Sequence, residues 1–335
     1  MRRDGKKQQA FAEYLRIGKL YADKGHYREG VAALEKALAI DPDLPSAKAN
    51  LDLALDLDDM RRRAGEPGNV PTVRCTPDET ANGLLRPEKL ALAASMFETN
   101  GVLQVDNAFP LELIQHLHDV FFKRYTSYFR EDDHPDALRL GDQRYMLTVD
   151  LDTPFDDPDL FASPLLLPFF QRLLGKDCVI GAFTSVISLP GSKDQRLHKD
   201  HPPLFPSTRW HHRLPHFAIQ MIVPLVPLDD VVGTTRVIKG SHEVPTKEAQ
   251  GMESQDPMVP LGSCLINDYR LCHHGLGNRS DKVRPILTII YNRPWFRDYV
   301  NYAKQPPLRI GDRQFQQLPD AHRKLFAWWQ ENGIR

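Results

Sequence analysis

His198 and Asp200, separated by one residue in LPGSKDQRLHKDHP, are the first candidates for chemistry. In extended backbone, residues i and i+2 point to the same side, so an imidazole and a carboxylate spaced in this way can grip one ion. A His-x-Asp triplet alone is common in polar loops and needs a third ligand to acquire meaning. NDYRLCHHGLGNRSDKVRPIL supplies one, with His273 or His274 ending one strand-like run and Arg284 opening another. Two histidines and one carboxylate on one face of a metal leave three positions open, the triad of non-haem Fe(II) oxygenases. Such chemistry needs the open positions, because a co-substrate and O₂ must both reach the ion. Arg284 adds a planar, permanently charged fork suited to bidentate capture of a carboxylate, so it could anchor a dicarboxylate beside the metal.

These residues need a scaffold that brings distant segments together. From Val179 onward the chain reads as short β-type runs: VIGAFTSVISL, FAIQMIVPLVPL, GTTRVIKGS, GSCLIND and PILTIIYN. Several strands separated by loops predict a sandwich or jelly roll, not alternating β and α units. Before them, PEKLALAASMFETNG and PLELIQHLHDVFFKRYTSYF carry helical periodicity, with a strand expected at Gly101–Val105 between them. The class is therefore mainly β with helices (α+β). Residues 64–85 concentrate Gly, Pro, Asn and Thr, lose hydrophobic periodicity, and are expected to form a linker.

Residues 1–63 read as a helical hairpin plus one helix, with Gly25 and Asp41-Pro42 as breaks. Tyr14, Ile17-Gly18, Tyr21, Gly30, Leu34, Ala37 and Pro42 fall at the hallmark positions of the tetratricopeptide repeat, which this segment resembles over one repeat and a capping helix. A single repeat cannot bury both of its faces, so it must either buttress the following domain or dock a protein partner.

Composition bounds the remaining classes. Forty-three Lys plus Arg against 44 Asp plus Glu give a formal net charge of −1, which argues against a basic nucleic-acid binder or an acidic solvating tail. The four cysteines, Cys75, Cys178, Cys264 and Cys272, are far apart and suggest a reducing compartment and no zinc ribbon. The N-terminal MRRDGKKQQ is basic, but charges continue where a signal peptide would carry an apolar core, so a cytoplasmic protein without membrane association is expected. The most apolar stretches are interrupted by proline and fall short of the roughly 18–20 residues a membrane helix needs. His211, His212 and His216 lie in LFPSTRWHHRLPH, read as a basic substrate-facing loop in preference to a second metal site.

Four pieces in order are similar to the phytanoyl-CoA dioxygenase-like family of Fe(II)- and 2-oxoglutarate-dependent oxygenases. They are Pro190-Gly191 leading into His198-x-Asp200, the block from Gly233 to His242, Asp268-x-Arg270-x-x-His273-x-Gly275-x-x-Asn278-Arg279-Ser280, and Arg284. The resemblance covers roughly residues 95–295 and implies a double-stranded β-helix, a jelly-roll variant of cupin-like form, within a catalytic domain of residues 86–335 whose β-helix spans about 179–295. It implies His198, Asp200 and His273 as iron ligands, with His273 favoured over His274 by register. It also implies Arg284 as partner of the distal carboxylate of 2-oxoglutarate, and Gln220 as an inward polar group touching that co-substrate. O₂ is the second co-substrate, and succinate and CO₂ are released as an unactivated C–H bond is hydroxylated. Related halogenases carry a small residue at the position of Asp200, so hydroxylation is expected here. Cys272, Lys239 and the Val231-Val232-Gly233 stretch depart from the family pattern without removing a ligand. The family acts on acyl thioesters, amino acids and other small metabolites, so a small-molecule or carrier-bound substrate is implied but not specified. Two other readings stay open: an inactive β-helix serving as a binding module, and a cupin-like metalloenzyme that does not use 2-oxoglutarate.

Overall fold

A computed structural model describes residues 2–332 except positions 43, 131, 133, 207 and 304. Its N-terminal unit consists of α1 (Arg2–Asp23), α2 (Tyr27–Ile40) and α3 (Pro45–Ala64). Helices α1 and α2 pack closely because small residues stand where they meet: a Cβ on Gly18 would lie 2.6 Å from Leu34 Cγ, and one on Gly30 would lie 3.1 Å from Gly18 O. Tyr27, Gly30, Leu34 and Ala37 form the buried stripe of α2, as their spacing predicts, whereas Tyr21 on α1 is exposed.

Two polar anchors fasten this unit to the rest of the chain. Lys89, on α5 (Pro87–Asn100), is 1% exposed and reaches Asp56 of α3 at 2.6 Å and Glu79 at 3.0 Å. Lys239 donates to Ala64 O at 3.4 Å and Glu66 O at 3.3 Å at the end of α3, so this departure from the family pattern ties a β-domain loop to the helices. Burial would lower the Lys89 pKa, but hydrogen bonds to Asp56 and Glu79 hold it raised. Burial likewise opposes ionisation of Glu79, yet the Thr76 amide and Lys89 keep its pKa lowered.

Lys89→Met strands buried carboxylate and should cost about 3 kcal/mol at pH 7, because breaking a buried pair leaves an uncompensated charge. A carboxyl group whose folded pKa is depressed contributes stability above its unfolded pKa and loses it as pH falls through the folded one. The difference between parent and variant should therefore shrink on acidification, which urea unfolding at pH 7 and pH 4 would measure.

The segment expected as a linker, residues 64–85, is built into the domain. It supplies β1 (Thr72–Arg74), which pairs parallel with β2 (Val102–Asp106), and α4 (Pro77–Asn82), which carries a Thr76/Glu79 capping box. Its Gly and Pro residues mark turns around these short elements, and with only three residues in the strand no period could register.

After α6 (Leu111–Arg124) come a hairpin of β3 (Leu138–Gly141) and β4 (Arg144–Thr148), then β5 (Val179–Ser188), β6 (Ala218–Pro224) and β7 (Thr235–Val237). The series ends with β8 (Cys264–Asp268), β9 (His273–Gly275) and β10 (Arg284–Asn292). One mixed sheet has the order β1-β2-β8-β6-β10-β5-β4-β3, and β7 pairs with β9 in a second, small sheet. The fold is α+β, with a large mixed sheet consistent with a double-stranded β-helix.

The large sheet is buried on both faces, which is why its strands read as nearly continuous apolar runs. Ile219, Met221 and Val223 of β6 and Leu287, Ile289 and Tyr291 of β10 share a core with Phe97 of α5, Leu117 and Phe121 of α6, and Phe169 and Phe170 of the 167–174 helix. Alternate residues Ile222 and Ile286 face the other way and pack with Val237 of β7 and Leu271. Between the sheets on that side lies a cavity of about 780 Å³. No helix among the described residues is long and apolar enough to cross a membrane.

Candidate active site

Strand β5 ends at Ser188, and Gly191 takes a positive φ of 81° that turns the chain back along the small sheet. Residues 191–198 then run beside 273–278: Gly191 N donates to Asn278 O, Gln195 N to Gly275 O, and His198 and His273 exchange backbone hydrogen bonds at 3.0 and 2.9 Å. The pairing holds two imidazoles side by side, with ring centroids 4.5 Å apart and planes tilted by 52°. Asp200 lies just past it and turns its carboxylate back, placing Oδ1 4.0 Å from His198 Nε2 and 3.5 Å from His273 Nε2. Ligand-type atoms of His198, Asp200 and His273 all lie within 4.8 Å of one another, and no other three His, Cys, Asp or Glu side chains converge this way among the described residues.

The hydrogen bonding of these histidines suits a metal. His198 Nδ1 faces Arg196 O at 2.8 Å and His273 Nδ1 faces Leu271 O at 3.0 Å. A carbonyl can only accept, so each Nδ1 carries a proton and Nε2, on the side of Asp200, is the atom left to coordinate from a neutral ring. Burial, reinforced by the neighbouring His273, lowers the His198 pKa and favours the neutral imidazole that coordinates. Asp200 Oδ2 is buried without a hydrogen-bond partner, an arrangement that a bound cation would relieve.

The pleat separates His273 from His274. His273 points into the cavity, while His274 lies on the opposite face, paired in register with Arg236, and its two ring nitrogens are buried without hydrogen bonds. Gln220 projects from β6 into the same cavity.

Arg284 opens β10 at the cavity wall and is 3% exposed. Its guanidinium donates to Ser188 Oγ at 2.7 Å, Leu276 O at 3.1 Å and Val232 O at 3.4 Å, while Nε has no partner. Sequence reasoning missed the second arginine, Arg144 on β4. It is 1% exposed and donates to Ser188 Oγ at 2.9 Å, Gly275 O at 3.0 Å and Leu276 O at 2.8 Å. Two glycines provide the room: a Cβ on Gly233 would lie 2.6 Å from Arg284 Nη1, and one on Gly275 would lie 2.9 Å from Arg144 Nη1.

Among the described residues neither guanidinium has a carboxylate within ion-pair distance. Burial, then the charge on Arg144, pushes the Arg284 pKa down to about 9, and burial takes Arg144 to about 10. The pocket thus carries two buried positive charges whose cost an incoming dianion would offset. No spacing rule links Arg144 to Arg284. The nearest sequence signal is the strand-like run RYMLTV, which Arg144 opens.

The histidine loop, expected to be basic and substrate-facing, does not bring its histidines to the cavity. His211, His212 and His216 are absent from the cavity wall. His211 Nδ1 accepts from Leu204 N at 3.0 Å, and burial, helped by His212, lowers its pKa to about 4. His216 Nδ1 sits 2.5 Å from Oδ2 of the buried Asp268, which Arg270 also grips through both carboxylate oxygens. Arg270 extends this network to Leu214 O at 2.8 Å, so it binds the loop into the fold.

The cavity between the sheets thus holds three ligand-type side chains, His198, Asp200 and His273, together with two buried guanidiniums. A family model described as Phytanoyl-CoA dioxygenase (PhyH) matches residues 97–286, and the chain belongs to that family. Curated relatives include dioxygenase af480 of Aspergillus fumigatus, 28% identical over 167 residues that cover 48% of this chain and 53% of that protein. The iron/alpha-ketoglutarate-dependent dioxygenase ausO of Aspergillus calidoustus is 27% identical over 199 residues, covering 52% of this chain and 62% of that one. The chain thus spans just over half the length of these relatives. Among solved structures, the non-heme alpha ketoglutarate dependent epimerase SnoN from nogalamycin biosynthesis shares the fold with a TM-score of 0.52 at 17% identity, over 68% of this chain and 98% of SnoN.

Proposed function

We propose that this protein is an Fe(II)- and 2-oxoglutarate-dependent dioxygenase that hydroxylates an unactivated C–H bond of a small-molecule or carrier-bound substrate. The observation that carries this reading is the buried, carboxylate-free pair Arg284 and Arg144 in the same cavity as His198, Asp200 and His273. Iron with 2-oxoglutarate and O₂ would supply the oxidising chemistry, coupling oxidative decarboxylation to succinate and CO₂ with oxidation of the substrate.

The chain's own residues bind, orient and exclude water. His198, Asp200 and His273 would hold the iron, their Nδ1–H···O=C bonds fixing both rings. Arg284, seconded by Arg144, would take the distal carboxylate, with Gln220 a further contact to the co-substrate. Met146, Val186, Ile222 and Ile286 supply apolar wall, which keeps bulk water from a reactive centre. With Asp200 in the third protein position no vacancy is left for a halide, which favours hydroxylation.

We read α1–α3 as a tetratricopeptide-like unit acting as a buttress. The close packing at Gly18 and Gly30 and the Lys89 and Lys239 anchors support this reading over a freely presented docking arm. The four buried free thiols suit the reducing cytoplasm.

Anaerobic titration of the metal-free protein with Fe(II) and then 2-oxoglutarate tests the function. A weak visible charge-transfer band from the chelated keto acid is the expected result. Folded, iron-loaded protein that shows neither the band nor 2-oxoglutarate turnover would return the chain to the binding-module or cupin-like alternatives.

A further inference from the structure

We propose that the strap Asp298–Tyr302, which lies beyond the residues matched by the family model, positions Asp200 and so completes the ligand set. This inference rests on the metal-binding reading above. His198 is held in place by paired backbone hydrogen bonds to His273, but Asp200 lies past the end of that pairing, in a bend. A hydrogen bond from a distant segment reaches its backbone: Asn301 Nδ2 donates to Asp200 O at 2.7 Å.

The strap is itself rigidly made. Asp298 Oδ1 accepts from Val300 N at 2.9 Å and from Asn301 N at 3.0 Å, closing a tight Asx turn. Asp298 Oδ2 accepts from Asn301 Nδ2 at 2.7 Å, fixing the amide that reaches Asp200. The same Oδ2 accepts from the Tyr269 hydroxyl at 2.7 Å. Tyr269 lies in the turn between β8 and β9, immediately before the strand that carries His273. The chain Asp200–Asn301–Asp298–Tyr269 thus joins the two arms of the site, the His198/Asp200 loop and the His273 hairpin. Asn301 and Tyr269 also line the cavity, so the strap forms its wall on the Asp200 side.

Asn301 and Asp298 are positioning residues, since they act on the metal through Asp200 and never touch it. Outer contacts that orient a ligand typically govern 10–100-fold in metal affinity. Asn301→Ala in the full chain should weaken Co(II) binding about tenfold and alter the visible absorption of bound Co(II), because the third ligand loses its fixed direction. Tyr269→Phe, which removes one oxygen and keeps the packing, should weaken binding less. Combined with Asn301→Ala it should add little, since both act through one chain of contacts.

Near-UV circular dichroism and the melting of the metal-free variants separate misfolding from mispositioning. If Asn301→Ala does not fold, Tyr269→Phe carries the test alone. Unchanged Co(II) affinity and spectrum in the folded variants would overturn the strap's role while leaving the metal site standing. A parent protein that binds no Co(II) would remove both readings together.

Discussion

Asp200→Ala will lose at least about 10³-fold of 2-oxoglutarate turnover, more than the 10–100-fold that outer contacts govern, because a metal held in the proposed site would keep two imidazoles and lose its one anionic ligand. His273→Ala should behave in the same way. The metal-free Asp200→Ala protein, however, should melt no lower than the parent, and its melting temperature should stop responding to added Fe(II) or Co(II). The physical reason is that Asp200 Oδ2 is buried without a partner in the metal-free chain, so its removal relieves an unsatisfied polar atom. Two melting curves per protein, with and without metal, and a succinate assay suffice to check this. A variant that turned over 2-oxoglutarate at the parent's rate would sink the ligand assignment.

Arg284→Met will raise the 2-oxoglutarate KM roughly 10²–10³-fold, the size expected when one member of a buried, hydrogen-bonded charge pair is truncated. Metal affinity without co-substrate should stay within a few-fold, because Arg284 in the proposed role anchors the co-substrate and lies outside the proposed ligand set. Arg284→Lys should rescue little, since a point charge cannot reproduce the fork that serves Ser188, Leu276 and Val232 while receiving a carboxylate. Arg144→Met should fall between parent and Arg284→Met. In the metal-free, ligand-free chain the loss of either cation relieves a charge that burial has made costly, so neither methionine variant should melt far below the parent. Steady-state kinetics in 2-oxoglutarate, set beside metal titration and thermal melting, separate the roles. A fall in kcat at constant KM would place Arg284 elsewhere in the mechanism.

Much of this site was legible because its signals are local. His198 and Asp200 read as a pair from spacing alone, since extended backbone puts i and i+2 on one side. Strands β5, β6 and β10 read as strands because both faces of the large sheet are buried and their sequences are apolar throughout. The buried stripe of α2 followed from helical period in the same way. Where the local signal was short or ambiguous, reading failed. The three residues of β1 could not reveal a period, and the cluster His211, His212 and His216 read as a chemical loop although two of its rings are buried in structural contacts.

Residue types and their spacing specify the kinds of chemistry present and the elements that carry them: a His-x-Asp pair, a later histidine, an arginine at a strand start, and β runs after helices. Tertiary structure alone decided which groups share a cavity. Arg144 joins Arg284 because β4 and β10 both flank β5, and Ser188 binds both guanidiniums. Asn301 reaches Asp200, and Lys239 reaches the end of α3, across separations that no periodicity encodes. Local rules of backbone geometry write themselves into adjacent residues, whereas the meeting of distant segments follows from how whole sheets and helices bury their apolar faces.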